Sequence, residues 1–300
     1  MSNQGKVIQS HNNFMLLIAF CAITLGCALI GGILAAGLAT LVYDVPLQDL
    51  NLDRVNSLNM NKVKALRFMQ FLSAIITFLL PAYLFIKVIK KESVRLYLNL
   101  IKFPKISLLL LIPIIVLLAN PFIYKSTEWT RLLGLSEIMK ESSIAQTQVI
   151  KAFLSLEGIG NFLFNFVVMA IMAGFCEEIL FRGVIQKGLQ RFFKNYHIAI
   201  WITALIFSLI HMEFEGCIAR MVLGAIFGYL YVFTGNLWIP IITHAFYNGF
   251  TITVAKLYDA GMVDMNVNEA DSVEVGYGWF TVCSVCLIIV LIYFKKLSSN

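Results

Sequence analysis

Two adjacent glutamates, Glu177 and Glu178, lie inside the apolar run FVVMAIMAGFCEEILFRG. A carboxylate at bilayer depth costs several kcal/mol, so acids inside a membrane are rare, face a polar interior and mark sites. Arg182 follows Glu178 at i+4, the spacing at which two helical side chains pair and cancel one charge. Glu177 then points about 100° away from that pair and stays free for chemistry. Two of the four histidines, His211 in WITALIFSLIHMEF and His244 in LWIPIITHAFYNGF, are also embedded in apolar sequence. Asn248 lies four residues after His244, on the same helix face and one turn away.

These residue types are the parts of a hydrolase that needs no serine or cysteine nucleophile. A carboxylate in a low-dielectric pocket becomes a stronger base, and a histidine beside it can help to orient and deprotonate a water. A second histidine and an asparagine amide can donate to an oxyanion developing on an amide or ester carbonyl. The same set could bind a divalent metal such as zinc through Glu177, His211 and His244, since two histidines and a glutamate leave an open zinc position. The helical H-E-x-x-H spacing is absent, so no motif supports the metal. The remaining histidines, His11 in the polar N-terminal tail and His197 at the start of an apolar run, read as surface residues.

Positioning such groups requires a membrane bundle. Of the 300 residues 59% are hydrophobic and 13% charged, and the mean hydropathy is +0.82. Charged residues make up about 25% of an average soluble domain. The apolar runs are long enough for a core of about 30 Å and lack the alternation of a β-barrel strand. The chain therefore reads as an all-α, polytopic transmembrane bundle. About eight spans are expected, at 14–43, 66–89, 106–124, 159–187, 197–214, 217–234, 237–257 and 278–294. One membrane domain, 1–300, accounts for the chain, with the chemistry in about 165–255. The first span is too long for the apolar region of a cleaved signal.

A hairpin turning near Asn195 puts Glu177 18 residues before the turn and His211 16 residues after it. At 1.5 Å per residue both lie roughly 25 Å from the turn, so they come level. Asn248 lies 12 residues past a second turn at Asn236, somewhat nearer the same end.

Charge sets the expected orientation. With a cytoplasmic N-terminus, the inside segments hold Lys6, Lys87, Lys90, Lys91, Arg95, Lys102, Lys105, Lys187, Arg191, Lys194, Lys295 and Lys296, against the single acid Glu92. The outer loops hold Asp44, Asp49 and Asp53, then Asp259, Asp264, Glu269, Asp271 and Glu274. Lysine and arginine bias places both termini in the cytoplasm. The net charge of +6 thus reports topology and not nucleic-acid binding. Residues 125–158 are less apolar, and Leu132 to Ile150 is either an amphipathic helix on the outer interface or a solvated loop.

The six cysteines read as small residues packed between helices, with no disulfide framework. Gly224 and Gly228 form a small-xxx-small face for close helix approach. Pro81, Pro113 and Pro240 read as kinks.

In three blocks the chain resembles the CAAX-protease and bacteriocin-processing family of intramembrane proteases. EExxxR is EEILFR, Glu177 to Arg182; FxxxH is FSLIH, Phe207 to His211; HxxxN is HAFYN, His244 to Asn248. Each block is weak alone, but all three in order on separate spans are specific. The resemblance implies that Glu177 and His211 activate water, that His244 and Asn248 form the oxyanion hole, and that Glu178 and Arg182 support the site. It leaves metal dependence open, although the residues prefer metal-free hydrolysis. It implies a peptide or protein substrate, lipidated or not, in contact with membrane lipid, and no nucleic acid. A bacterial plasma (inner) membrane is the expected location. Two other readings use the same residues: a proton-coupled transporter, against which no internal repeat is found, and a non-catalytic scaffold or bacteriocin-immunity protein.

Overall fold

A computed structural model describes residues 3–50, 60–263 and 275–299, with side chains described from residue 15 onwards in those ranges. The expectations for the His11 side chain and for Asp53, Asp264, Glu269, Asp271 and Glu274 lie outside the described residues.

The chain forms a polytopic helical bundle. Its elements are α1 (Asn3–Tyr43), α2 (Met60–Ile89), α3 (Ile106–Leu132), α4 (Glu137–Leu154), α5 (Ile159–Phe193), α6 (Tyr196–Leu209), α7 (Cys217–Thr234), α8 (Trp238–Asp259) and α9 (Tyr277–Ser299). Among the described residues six helices are long and apolar enough to cross a membrane: α1 from Met15, α2, α3, α5, α7 and α9. Outward side chains such as Leu29, Ile33 and Leu41 in α1 and Ile288, Ile289 and Ile292 in α9 are exposed, which suits contact with lipid tails.

Two of the expected eight spans differ in kind. The one expected at 197–214 is the short apolar helix α6, ending at Leu209. The one expected at 237–257 is α8, 22 residues long, which carries the polar groups of the third block. The amphipathic helix is present as α4 but starts five residues late. Gly134, at φ +72°, breaks the chain after α3, and Ser136 Oγ accepts the Met139 N–H to cap α4.

Two tight turns set the register of the inner helices. Lys194, at φ +54°, ends α5, and the Asn195 side chain accepts the N–H groups of His197 (2.8 Å) and Ile198 (3.3 Å) to start α6. Gly235, at φ +60°, ends α7, and Asn236 Oδ1 accepts the Trp238 N–H at 3.0 Å to start α8. Helices α5 to α8 are thus folded as two hairpins turning at the same end. Asn99 and Asn236 bond across that end to Gly235 O and Lys102 O. The Ser298 hydroxyl donates to Phe233 O, bringing the C-terminal end of α9 there too.

Small residues let the hairpins close. A Cβ on Gly224 would lie 3.2 Å from Ala204 Cα, and one on Gly228 would lie 3.0 Å from an Ile200 methyl. The expected close approach of α7 is to α6. Van der Waals contact of this kind drives helix association where lipid removes the hydrophobic force. Pro240 is not a kink: it sits in the first turn of α8, where the missing N–H would have had no partner. Pro113 follows an interruption at Leu110 and Leu111 that divides α3 into Ile106–Leu109 and Ile112–Leu132. Pro81 does lie inside α2, between two stretches of wider π-helical turns. All six cysteines are free, and Cys176 and Cys283 are buried as expected, but Cys21 is exposed on α1.

Candidate active site

Helix α5 carries the two glutamates on an ordinary α-helical segment, Ala173–Leu180, flanked by π-helical turns at Phe166–Met172 and Phe181–Gln186. Such insertions are rare and concentrate at functional sites. Gly174, one turn before the glutamates, touches α8: a Cβ there would lie 2.8 Å from Ala245 N. That contact draws His244 against the carboxylates.

Glu178 and Arg182 pair as the spacing requires. Arg182 Nη1 donates to Glu178 Oε1 at 2.6 Å, both side chains are fully buried, and Nη2 donates to Gly224 O at 2.7 Å. His244 Nδ1 lies 2.9 Å from the same Glu178 oxygen. The guanidinium is walled by aromatic rings, with the Phe207 centroid at 5.0 Å and the Phe227 centroid at 5.5 Å. The His244 ring stacks on Phe227 at 5.0 Å.

Glu177 is placed differently. Its side chain has no hydrogen bond among the described residues; Oε2 is buried without a partner, as Glu178 Oε2 also is, whereas Glu178 Oε1 is held by Arg182 and His244. His211 Nε2 lies 3.9 Å from it and His244 Nε2 lies 4.0 Å from it. Both separations exceed a direct hydrogen bond. The level reached along α5 and α6 therefore matches the hairpin arithmetic.

His211 is not inside a helix. Helix α6 stops at Leu209, and His211 sits in the turn that follows, ahead of Met212 at φ +52°. Its Nδ1 lies 2.7 Å from Phe207 O. A carbonyl only accepts, so Nδ1 carries the proton, and a neutral ring turns the Nε2 lone pair towards Glu177.

The turn is held by α4, which sequence reasoning did not connect with the site. Gln146 Nε2 donates to His211 O, and Ser142 Oγ to Met212 O. Ser143 Oγ accepts the N–H groups of Phe214 (3.2 Å) and Glu215 (3.4 Å). Arg131 Nη2 meets Glu215 at 3.0 Å. Glu213 closes the turn against Arg220 and the Gly216 N–H. Burial opposes ionisation there, but the Arg220 guanidinium prevails and holds the Glu213 carboxyl below its usual range. No local signal marks Gln146, since it is 65 residues from its partner.

Among the described residues Asn248 has no hydrogen bond to the glutamates or histidines. Its amide nitrogen donates to Met169 O at 3.0 Å, within the π-helical part of α5. His197 is exposed at the turn end, bonded to the Tyr229 hydroxyl.

Glu177, His211 and His244 are the donors a metal would use. Their Oε2–Nε2 separations are wider than the roughly 3.3 Å edge of a tetrahedral set with bonds near 2 Å. Among the described residues no group of three or more His, Cys, Asp or Glu side chains is gathered to hold a metal ion. The arrangement does not fit a preformed metal cage.

Residues 159–250 match the family described as type II CAAX prenyl endopeptidase Rce1-like. The site lies in an Rce1-like segment. All three sequence blocks fall within it. Similar proteins include a candidate membrane peptidase of Bacillus subtilis, YdiL, 30% identical over 86 residues, or 29% of this chain and 35% of that protein. The membrane-embedded CAAX protease MroQ of Staphylococcus aureus is 36% identical over 95 residues, 30% of this chain and 38% of that protein. The uncharacterized B. subtilis protein YpbD is 30% identical over 84 residues, 27% and 40% of the two chains. The match thus spans less than half the length of these relatives. No solved structure matches. The Rce1-like segment and the apolar helices together make this an integral membrane protein.

Proposed function

We propose that this chain is an intramembrane endopeptidase whose base is Glu177. One observation carries the reading: Glu177 Oε2 is buried, lacks a partner, and faces two histidine Nε2 atoms at 3.9 and 4.0 Å. A water between Glu177 and His211 gives one proton to each acceptor's hydrogen bond, and its lone pair points at a substrate carbonyl. Glu177 takes the proton as the C–O bond forms, then returns it to the leaving amine as the C–N bond breaks.

His244 stabilises the oxyanion from Nε2. Its Nδ1 is occupied by Glu178, so Nε2 is the ring nitrogen left to donate to the oxyanion, with the ring in its protonated form. Asn248 has one amide N–H committed to Met169 O and a second left for the oxyanion. Glu178 and Arg182 hold the assembly without touching the substrate. No step runs through a metal. The catalytic core is about 165–255 within a single domain.

The substrate is a peptide bond in a membrane-associated protein or peptide, in keeping with the similarity to a membrane peptidase and a membrane-embedded CAAX protease. The bacterial relatives and the gathering of basic residues at the turn end support a bacterial plasma membrane with both termini cytoplasmic.

The test uses the full chain in detergent with a quenched peptide library. Wild type should cleave, Glu177→Ala and His211→Ala should not, and a strong chelator should leave wild type unaffected. Cleavage retained in both variants refutes the assignment. Loss with chelator alone moves the chemistry to a metal.

A further inference from the structure

At the turn end, away from the glutamates, α1, α2 and α5 leave a narrow groove that is partly open to the surface. Leu16, Leu17 and Phe20 of α1 form one wall, and Val184 and Gly188 of α5 face them. A Cβ on Gly188 would come within 2.8 Å of the end of the Leu17 side chain, so glycine lets α1 pack close against α5 here. The rim is unlike the walls: Lys90, Tyr97 and Arg191 close it.

Two cations share that rim. Among the described residues neither Lys90 nor Arg191 has a carboxylate in ion-pair contact. The Arg191 guanidinium lies 5.6 Å from the Tyr97 ring centroid, and the Lys90 ammonium 5.9 Å from that of Phe85. Lys187 nearby is already used, donating to Tyr97 O beneath the rim. Burial and the neighbouring Arg191 hold the Lys90 ammonium below its usual range, with Glu92 only partly offsetting them. Like charges brought together over an apolar slot, at a helix end where headgroups lie, want a shared anion.

We propose that this slot binds an anionic phospholipid, its phosphate between Lys90 and Arg191 and an acyl chain along Leu16, Leu17 and Phe20. Arg191 is 14 residues beyond Glu177, on the order of 20 Å along α5, so the lipid sits apart from the proposed active site. The inference does not depend on proteolysis.

Native mass spectrometry of the full chain in detergent tests it, with phosphatidylglycerol, phosphatidylcholine and inorganic phosphate as separate probes. Phosphatidylglycerol should be retained well above phosphatidylcholine. Lys90→Gln should weaken that retention about fivefold, and Lys90→Gln/Arg191→Gln more than tenfold. Lys295→Gln/Lys296→Gln, which removes equal charge elsewhere at the same end, should leave it unchanged. Equal retention of both lipids overturns the proposal, as does an equal loss in the control pair. Phosphate alone displacing phosphatidylglycerol at equal concentration would make the slot a free-anion site and reject the lipid. The single Lys90 variant keeps the test valid if the double variant does not fold.

Discussion

Glu177 and Glu178 are chain neighbours with opposite surroundings. Around Glu178 every strong interaction of the site is concentrated: an arginine at 2.6 Å, a histidine at 2.9 Å and complete burial. Around Glu177 the nearest nitrogens stand off by about 4 Å on a wall that includes the half-buried His211. A 100° step along one helix turn separates a charge that has been neutralised from one that has been left open. In the proposed function the second carboxylate does not react; it holds the groups that let the first one do so.

The comparison can be broken most directly at the reactive side. Glu177→Gln should lower peptide cleavage by about 10²–10⁴-fold, the range for loss of a general base, while the unfolding temperature stays near wild type. The supporting side should answer in the other observable. Arg182→Met leaves Glu178 buried without its cation and should cost about 3–5 kcal/mol, read as loss of folded protein on denaturant titration in detergent. Removing both charges, Arg182→Met with Glu178→Gln, should recover part of that loss, because no unpaired ion remains.

Smaller changes sharpen the boundary between the two sides. Gly174→Ala puts a methyl 2.8 Å from Ala245 N and should destabilise by about 1–3 kcal/mol, with activity falling as α8 moves. Gln146→Leu removes the bond to His211 O and should cost about 1 kcal/mol in stability. It should also slow cleavage several-fold at unchanged substrate affinity, measured as kcat against KM.

The sequence made the polar pairings along one helix readable, because i+4 spacing is a local property. Glu178–Arg182 and the levelling of Glu177 with His211 follow from spacing and from turns at Asn195 and Asn236, whose side chains cap the helices that follow. What was hidden depends on distant partners. Helix α6 ends at Leu209, although the apolar pattern continues, because α4 captures the next turn through Ser142, Ser143 and Gln146. The amide of Asn248 turns to Met169 O because α5 widens into π-helical turns there, which no residue type announces. Phe207 and Phe227 wall the buried guanidinium, a role that a lipid-facing phenylalanine would share in composition but not in position.

The most direct measurement compares Glu177→Gln with Glu178→Gln, recording peptide cleavage and unfolding temperature on the same preparations. The account predicts a folded, inactive Glu177→Gln and a destabilised Glu178→Gln whose remaining folded fraction still cleaves. A Glu177→Gln protein that cleaves at the wild-type rate, or that unfolds as readily as Glu178→Gln, would contradict it.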